Sequence, residues 1–129
     1  MARDEIDVMI VGAGPAGMLT GLALAEKGVK VKIIDKEQRP ATHSYACALH
    51  PGVLKLLDRM GLAKEVLNLG RRIETVAFYE GDTRQAEIKL SALGGAFPCA
   101  VVLPQNAFEE LLEQRFTQAN PDALLWNHR

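Results

Sequence analysis

The chain opens on a short apolar run, Ile6 to Val11, that stops at a glycine. Its valine and isoleucine content predicts a strand buried on both faces, as in a parallel sheet. From Pro15 to Lys27 the period changes, with Leu19, Leu22, Ala23 and Glu26 at three- and four-residue steps, which predicts a helix. Proline suits a first helical turn, and Gly28 suits the left-handed position that ends one. Val29 to Ile34 is a second β-branched run, closing on Asp35. Strand, glycine turn, helix and strand form one βαβ unit with a right-handed crossover.

Lys36 to His50 reads as a long polar connection, of the kind that is usually functional or disordered. Pro51 opens a helix through Met60, with Val53, Leu54, Leu56 and Leu57 as its apolar face and Gly61 at its end. A short helix over Leu62 to Leu69 follows. Ile73 to Tyr79 and Ala86 to Leu90 predict two strands joined through Gly81-Asp82, an added β-hairpin. Ala100 to Leu103 is another short strand. Pro104 starts a helix carrying Phe108, Leu111, Leu112 and Phe116, and Ala123 to Trp126 begins one more strand. The fold class is therefore α/β, a partial Rossmann-like domain for FAD or NAD(P) with a parallel sheet.

Composition narrows the functional classes. The 129 residues suit one domain, and 48% hydrophobic with 24% charged residues is ordinary for a soluble folded chain. A net charge of -1, from 15 basic and 16 acidic side chains, provides no basic stripe for a phosphate backbone. No nucleic-acid partner is expected. Asp4, Glu5 and Asp7 contradict a cationic leader, the glycines interrupt the apolar run that follows, and no stretch is long enough to span a bilayer. Cys47 and Cys99 form no framework, so two reduced thiols in a cytoplasmic protein are expected.

The candidate chemistry lies in Gly12-Ala13-Gly14-Pro15-Ala16-Gly17, a G-x-G-x-x-G between strand and helix. Gly12 allows the tight turn, Gly14 lets the backbone approach a pyrophosphate, and Gly17 lets helix and strand pack closely. The helix start offers N–H groups and a positive dipole end to phosphates. Asp35, at the end of the second strand, is where a carboxylate binds a ribose diol. Its charge opposes a ribose 2′-phosphate, so FAD or NAD fits this adenosine end better than NADP. Lys36 lies beside the carboxylate and softens that opposition without replacing it.

Here the sequence resembles the para-hydroxybenzoate hydroxylase-like flavin monooxygenases, the aromatic-ring hydroxylases. Asp7 to Gly17 is similar to their FAD motif and Ile34-Asp35-Lys36 to its acidic end. Ala48 to Leu62 is similar to the family's helix after the long loop. Phe97 to Leu112 is similar to its strand-to-helix segment, whose glutamine lies near the flavin's ribityl chain. The resemblance carries that role to Gln105. It also implies FAD as cofactor, NADH or NADPH as reductant, and insertion of oxygen from O2 into a small, electron-rich, typically aromatic substrate. Two positions depart from the pattern: Tyr45 and Gly52 stand where the family often has arginine, which leaves Lys36 and Arg39 as the candidates to restore positive charge near the pyrophosphate. Residues 1–129 correspond to the N-terminal part of an FAD-binding domain. The substrate domain and downstream flavin motif are outside it, no catalytic residue is assigned, and the piece alone is expected to be inactive. Its uncovered central strand is expected to expose apolar surface and favour self-association.

Other residues have plainer readings. His43, Cys47 and His50 are close in sequence but lack the further ligand pair of a structural metal site, so no metal is assigned. Tyr45 either stacks on a ring or covers the loop. Arg71-Arg72 reads as a solvated strand entry, and Trp126 as a core anchor. Two alternatives remain open: the dinucleotide domain of another FAD- or NAD-dependent oxidoreductase, and a non-enzymatic nucleotide-binding module. The absence of a Cys-x-x-x-x-Cys pair argues against a disulfide reductase.

Overall fold

The computed structural model describes residues 5–38 and 45–129, arranged as two compact units. Arg39 and His43, both raised from the sequence, lie outside the described residues.

The first unit contains the βαβ start of the chain and its last segment. Strand β1 (Val8–Val11) leads through the glycine turn to helix α1 (Pro15–Ala25), which returns to β2 (Val31–Ile34). β1 and β2 pair in parallel, Val8 opposite Val31 and Val11 opposite Ile34. Asp7 ties the start of this ladder by accepting the Lys30 N–H at 2.9 Å. Gly28, at φ 79°, makes the turn out of α1 as expected.

The sheet order is β1–β2–β8, with β8 (Leu124–Leu125) parallel to β2. The chain reaches β8 through helix α4 (Gln105–Ala119). Both helices pack on the Ile33 face of the sheet. A Cβ on Gly21 of α1 would come within 2.7 Å of Ile33 Cδ1 and 3.1 Å of Phe116 on α4. Met18, Ile33, Leu112 and Phe116 are fully buried there.

That arrangement corrects the reading of β1 as buried on both faces. Met9 is 55% and Val11 82% exposed, because α1 and α4 cover the same side of the sheet.

The second unit spans Tyr45–Gln105. Strand β3 (Ala46–Leu49) falls inside the stretch read from sequence as a polar connection. It exists by pairing antiparallel with β7 (Ala100–Pro104), Ala46 opposite Pro104 and Leu49 opposite Val101. Four residues, of which only Leu49 is buried, are too few to show a period, so the partner strand defines them. Between them come α2 (Pro51–Arg59), α3 (Ala63–Leu69) and β4 (Arg71–Ile73), which pairs with the other edge of β7. Leu54, Leu57, Leu62, Val66, Val101 and Leu103 form this unit's core.

Pro104 ends β7 instead of opening the helix, and the ladder runs one step further, with Gln105 N–H donating to Tyr45 O at 2.7 Å. The hairpin pairs β5 (Thr75–Glu80) with β6 (Thr83–Lys89) around Gly81-Asp82, while Ile73 belongs to β4. Arg72 pairs with Glu74 at 3.1 Å on the surface.

Candidate functional site at the glycine turn

The turn between β1 and α1 has the geometry that its glycines require. Gly12 takes φ 108°, a conformation that L side chains rarely adopt. Its N–H still bonds Ile34 O at 2.8 Å, so the β1–β2 ladder continues to the lip of the bend. Gly17 is held tighter still: a Cβ there would lie 2.0 Å from the Gly12 carbonyl oxygen. Helix α1 can approach β1 this closely only because residue 17 has no side chain.

Gly14 differs. Its φ of -73° suits any residue, and a Cβ at this position would meet nothing within 4 Å. The space is open, as expected where a ligand and not protein must approach the backbone. Gly14 also caps α1, accepting Met18 N–H at 3.0 Å with no side chain serving as cap. Pro15 has no N–H, and those of Gly14, Ala16 and Gly17 bond nothing among the described residues. Free donors and the positive end of an 11-residue helix converge on that space.

Asp35 completes the arrangement. Its Oδ2 accepts the Ala13 N–H at 2.7 Å, and its Oδ1 accepts the Glu37 N–H at 2.9 Å. The carboxylate therefore points at the bend. An ionised carboxylate has about four acceptor positions, so two bonds leave capacity for a diol. A dinucleotide fits this set: open backbone donors for the pyrophosphate and a half-used carboxylate for the ribose.

The remaining sequence candidates have plainer placements. Pro15 is the first residue of α1, and Ala16, beside it, is exposed. Lys36 is exposed next to Asp35. Gln105 is half-buried as the first residue of α4 and is counted with the second unit. Tyr45 is exposed, Cys47 is half-buried and Cys99 buried, and the two cysteines form no disulfide. Among the described residues no cluster of three His, Cys, Asp or Glu side chains could hold a metal, and no helix is long and apolar enough to cross a membrane.

Sequence reasoning missed the segment after β8. Asn127 N–H donates to Glu37 O at 2.7 Å and His128 N–H to Asp35 O at 2.8 Å, so the chain passes along the main chain of Asp35 to Glu37. Asn127 turns there at φ 57°, a conformation asparagine tolerates better than most residues. The available signal was the parallel position of the Ala123–Trp126 run, which would have put its end at the tip of β2. Trp126 is half-buried, its Nε1–H donating to Glu113 Oε1 at 3.2 Å, so it is a clamp onto α4 more than the core anchor expected.

Comparison with known proteins matches residues 5–127 to a family described as an FAD binding domain. The chain is 36% identical over 109 residues to the uncharacterised aromatic compound monooxygenase YhjG of Bacillus subtilis, covering 84% of this chain and 21% of that protein. It is 34% identical over 114 residues to 6-methylpretetramide 4-monooxygenase of Streptomyces rimosus, covering 87% and 20%. Among solved structures, p-nitrophenol 4-monooxygenase from Pseudomonas putida superposes with a TM-score of 0.88 at 26% identity, covering 96% of this chain and 32% of that one. The chain spans about a fifth of the length of these curated relatives.

Proposed function

Because the chain belongs to the FAD binding domain family, we propose that it holds the ADP portion of FAD at the glycine turn within a flavin monooxygenase. The observation that carries this reading is the Ala13–Asp35 hydrogen bond, which fixes the carboxylate beside the open end of α1.

In this reading the residues take the following roles, those of Lys36, Arg39 and Gln105 resting on the resemblance alone. The N–H groups of Gly14, Ala16 and Gly17 receive the pyrophosphate, supported by the dipole of α1. Pro15 sets the first turn without occupying the space with a donor of its own. Asp35 binds the ribose hydroxyls. Lys36 and Arg39 supply positive charge, and Gln105 approaches the ribityl chain. When bound, the flavin supplies the redox chemistry, taking electrons from NADH or NADPH and delivering them to O2 for hydroxylation of a small aromatic substrate. The monooxygenase names of the relatives support this reaction. Two cysteines outside any disulfide support a cytoplasmic setting, and the near-neutral charge supports a small-molecule rather than a nucleic-acid partner.

Absorbance spectroscopy on the purified protein tests the proposal. A flavin spectrum, with FAD released on denaturation or taken up on titration, is the expected result. A folded protein that ignores FAD but binds NAD would move the chain to a dehydrogenase. Residues 1–129 alone are expected to take up FAD without coupling NAD(P)H oxidation to hydroxylation.

A further inference from the structure

The amino end of the first unit's sheet, opposite the glycine turn, holds a cavity of about 410 Å³. It lies where Lys30 to Lys32 enter β2 and where the turn from α4, Ala119 to Ala123, leads into β8. Sites for small molecules run from about 300 to 1,000 Å³, so the space suits a compact ligand. Every residue around it belongs to this one unit.

The late start of β8 shapes the cavity. The β2–β8 ladder begins with Ile33 N–H donating to Ala123 O at 2.7 Å. The Ala123 N–H turns back to Asn120 O at 3.2 Å, away from β2. Main-chain groups alternate between the two neighbours of a strand. Lys30 O accepts the Val8 N–H on the β1 side, so the N–H and C=O of Val31 face the β8 side, below the first rung of that ladder. Val31 is buried, and a buried main-chain donor and acceptor require partners.

The side chains add charge of both signs. Lys30 and Lys32 line the cavity together with Glu5 and Asp122, and none of the four makes an ion pair or side-chain hydrogen bond among the described residues. Ile6, Ala119, Pro121 and Ala123 supply apolar surface between them.

We propose that this cavity binds a small apolar α-amino acid. Its carboxylate meets the Lys30 and Lys32 ammonium groups and the Val31 N–H; its ammonium meets the carboxylates and the Val31 C=O. A singly charged ligand answers one sign of charge and leaves the other facing it, whereas a zwitterion answers both. The proposed FAD site lies at the other end of β2, and neither assignment depends on the other.

Isothermal titration calorimetry, with and without saturating FAD, compares L-leucine with 4-methylpentanoate, which lacks the ammonium, and 3-methylbutylamine, which lacks the carboxylate. L-leucine should bind at one site with the same affinity in both conditions. Each analogue should bind about tenfold more weakly, the scale of one charge-assisted hydrogen bond. Lys30→Gln combined with Lys32→Gln should weaken L-leucine about tenfold without weakening 3-methylbutylamine. Asp122→Asn should weaken L-leucine without weakening 4-methylpentanoate. FAD affinity should stay unchanged in these variants, which separates loss of this site from loss of the fold. No saturable binding of L-leucine overturns the assignment and leaves the FAD site standing. So do analogues that bind as tightly as L-leucine, or variants that bind it as well as the unaltered protein. A protein that binds L-leucine as expected but not FAD keeps this assignment and loses the FAD reading.

Discussion

Asp35 and Ala13, 22 residues apart, are joined by a 2.7 Å hydrogen bond in which the Ala13 N–H donates to Asp35 Oδ2. One side chain thereby braces the turn from the neighbouring strand and stays available to a ligand. On the proposed function, structure and binding are coupled at this carboxylate.

Asp35→Ala should therefore show two losses at once. A partly buried N–H without its charged acceptor costs about 1.5–3 kcal/mol, to be read from the urea unfolding midpoint. FAD affinity should fall about tenfold or more with the loss of the ribose contacts. Asp35→Asn keeps an acceptor for Ala13 and should lose less stability while still weakening FAD. Unchanged FAD binding in both variants would remove Asp35 from the site.

Gly14 and Gly17 should separate folding from binding. Gly17→Ala drives a Cβ against the Gly12 carbonyl, a backbone atom that cannot swing aside, and should destabilise the protein by about 1–3 kcal/mol. Gly14→Val places its Cβ in open space at an ordinary φ, so even with a poorer helix cap it should lose less stability than Gly17→Ala while FAD affinity drops. If Gly14→Val binds FAD normally, the pyrophosphate does not lie over that turn.

The exposed apolar surface should make residues 1–129 self-associate. On the hairpin, Val76 pairs with Ile88 and Phe78 with Ala86, giving one exposed apolar face; on β1, Met9 and Val11 are uncovered. Light scattering should find a mass that rises with protein concentration, and Val11→Lys together with Phe78→Lys should reduce it. A monomer that persists over a wide concentration range would count against this.

The parts of the fold legible in the sequence were those fixed locally. The runs ending at Gly12 and Asp35, the helix between Pro15 and Gly28, and the Gly81-Asp82 hairpin each carry their own period and punctuation. β3 was not legible, because Ala46 to Leu49 becomes a strand only through β7. The β1 run itself looks the same whether one side or both are covered, and its exposed apolar surface was expected only from the resemblance to a longer family domain. Glycine spacing and the acid at a strand end picked out Gly12, Gly14, Gly17 and Asp35, which the structure brings to one turn. His128 escaped notice because its position depends on β8 joining β2 across most of the chain.

That last pairing also bears on the order of events during synthesis. β1, α1 and β2 leave the ribosome early, yet one flank of β2 has no neighbour until the whole of the second unit has followed. The nascent βαβ segment must therefore wait with a bare strand edge. The three-stranded order of the first unit is complete only once Leu124 and Leu125 have emerged.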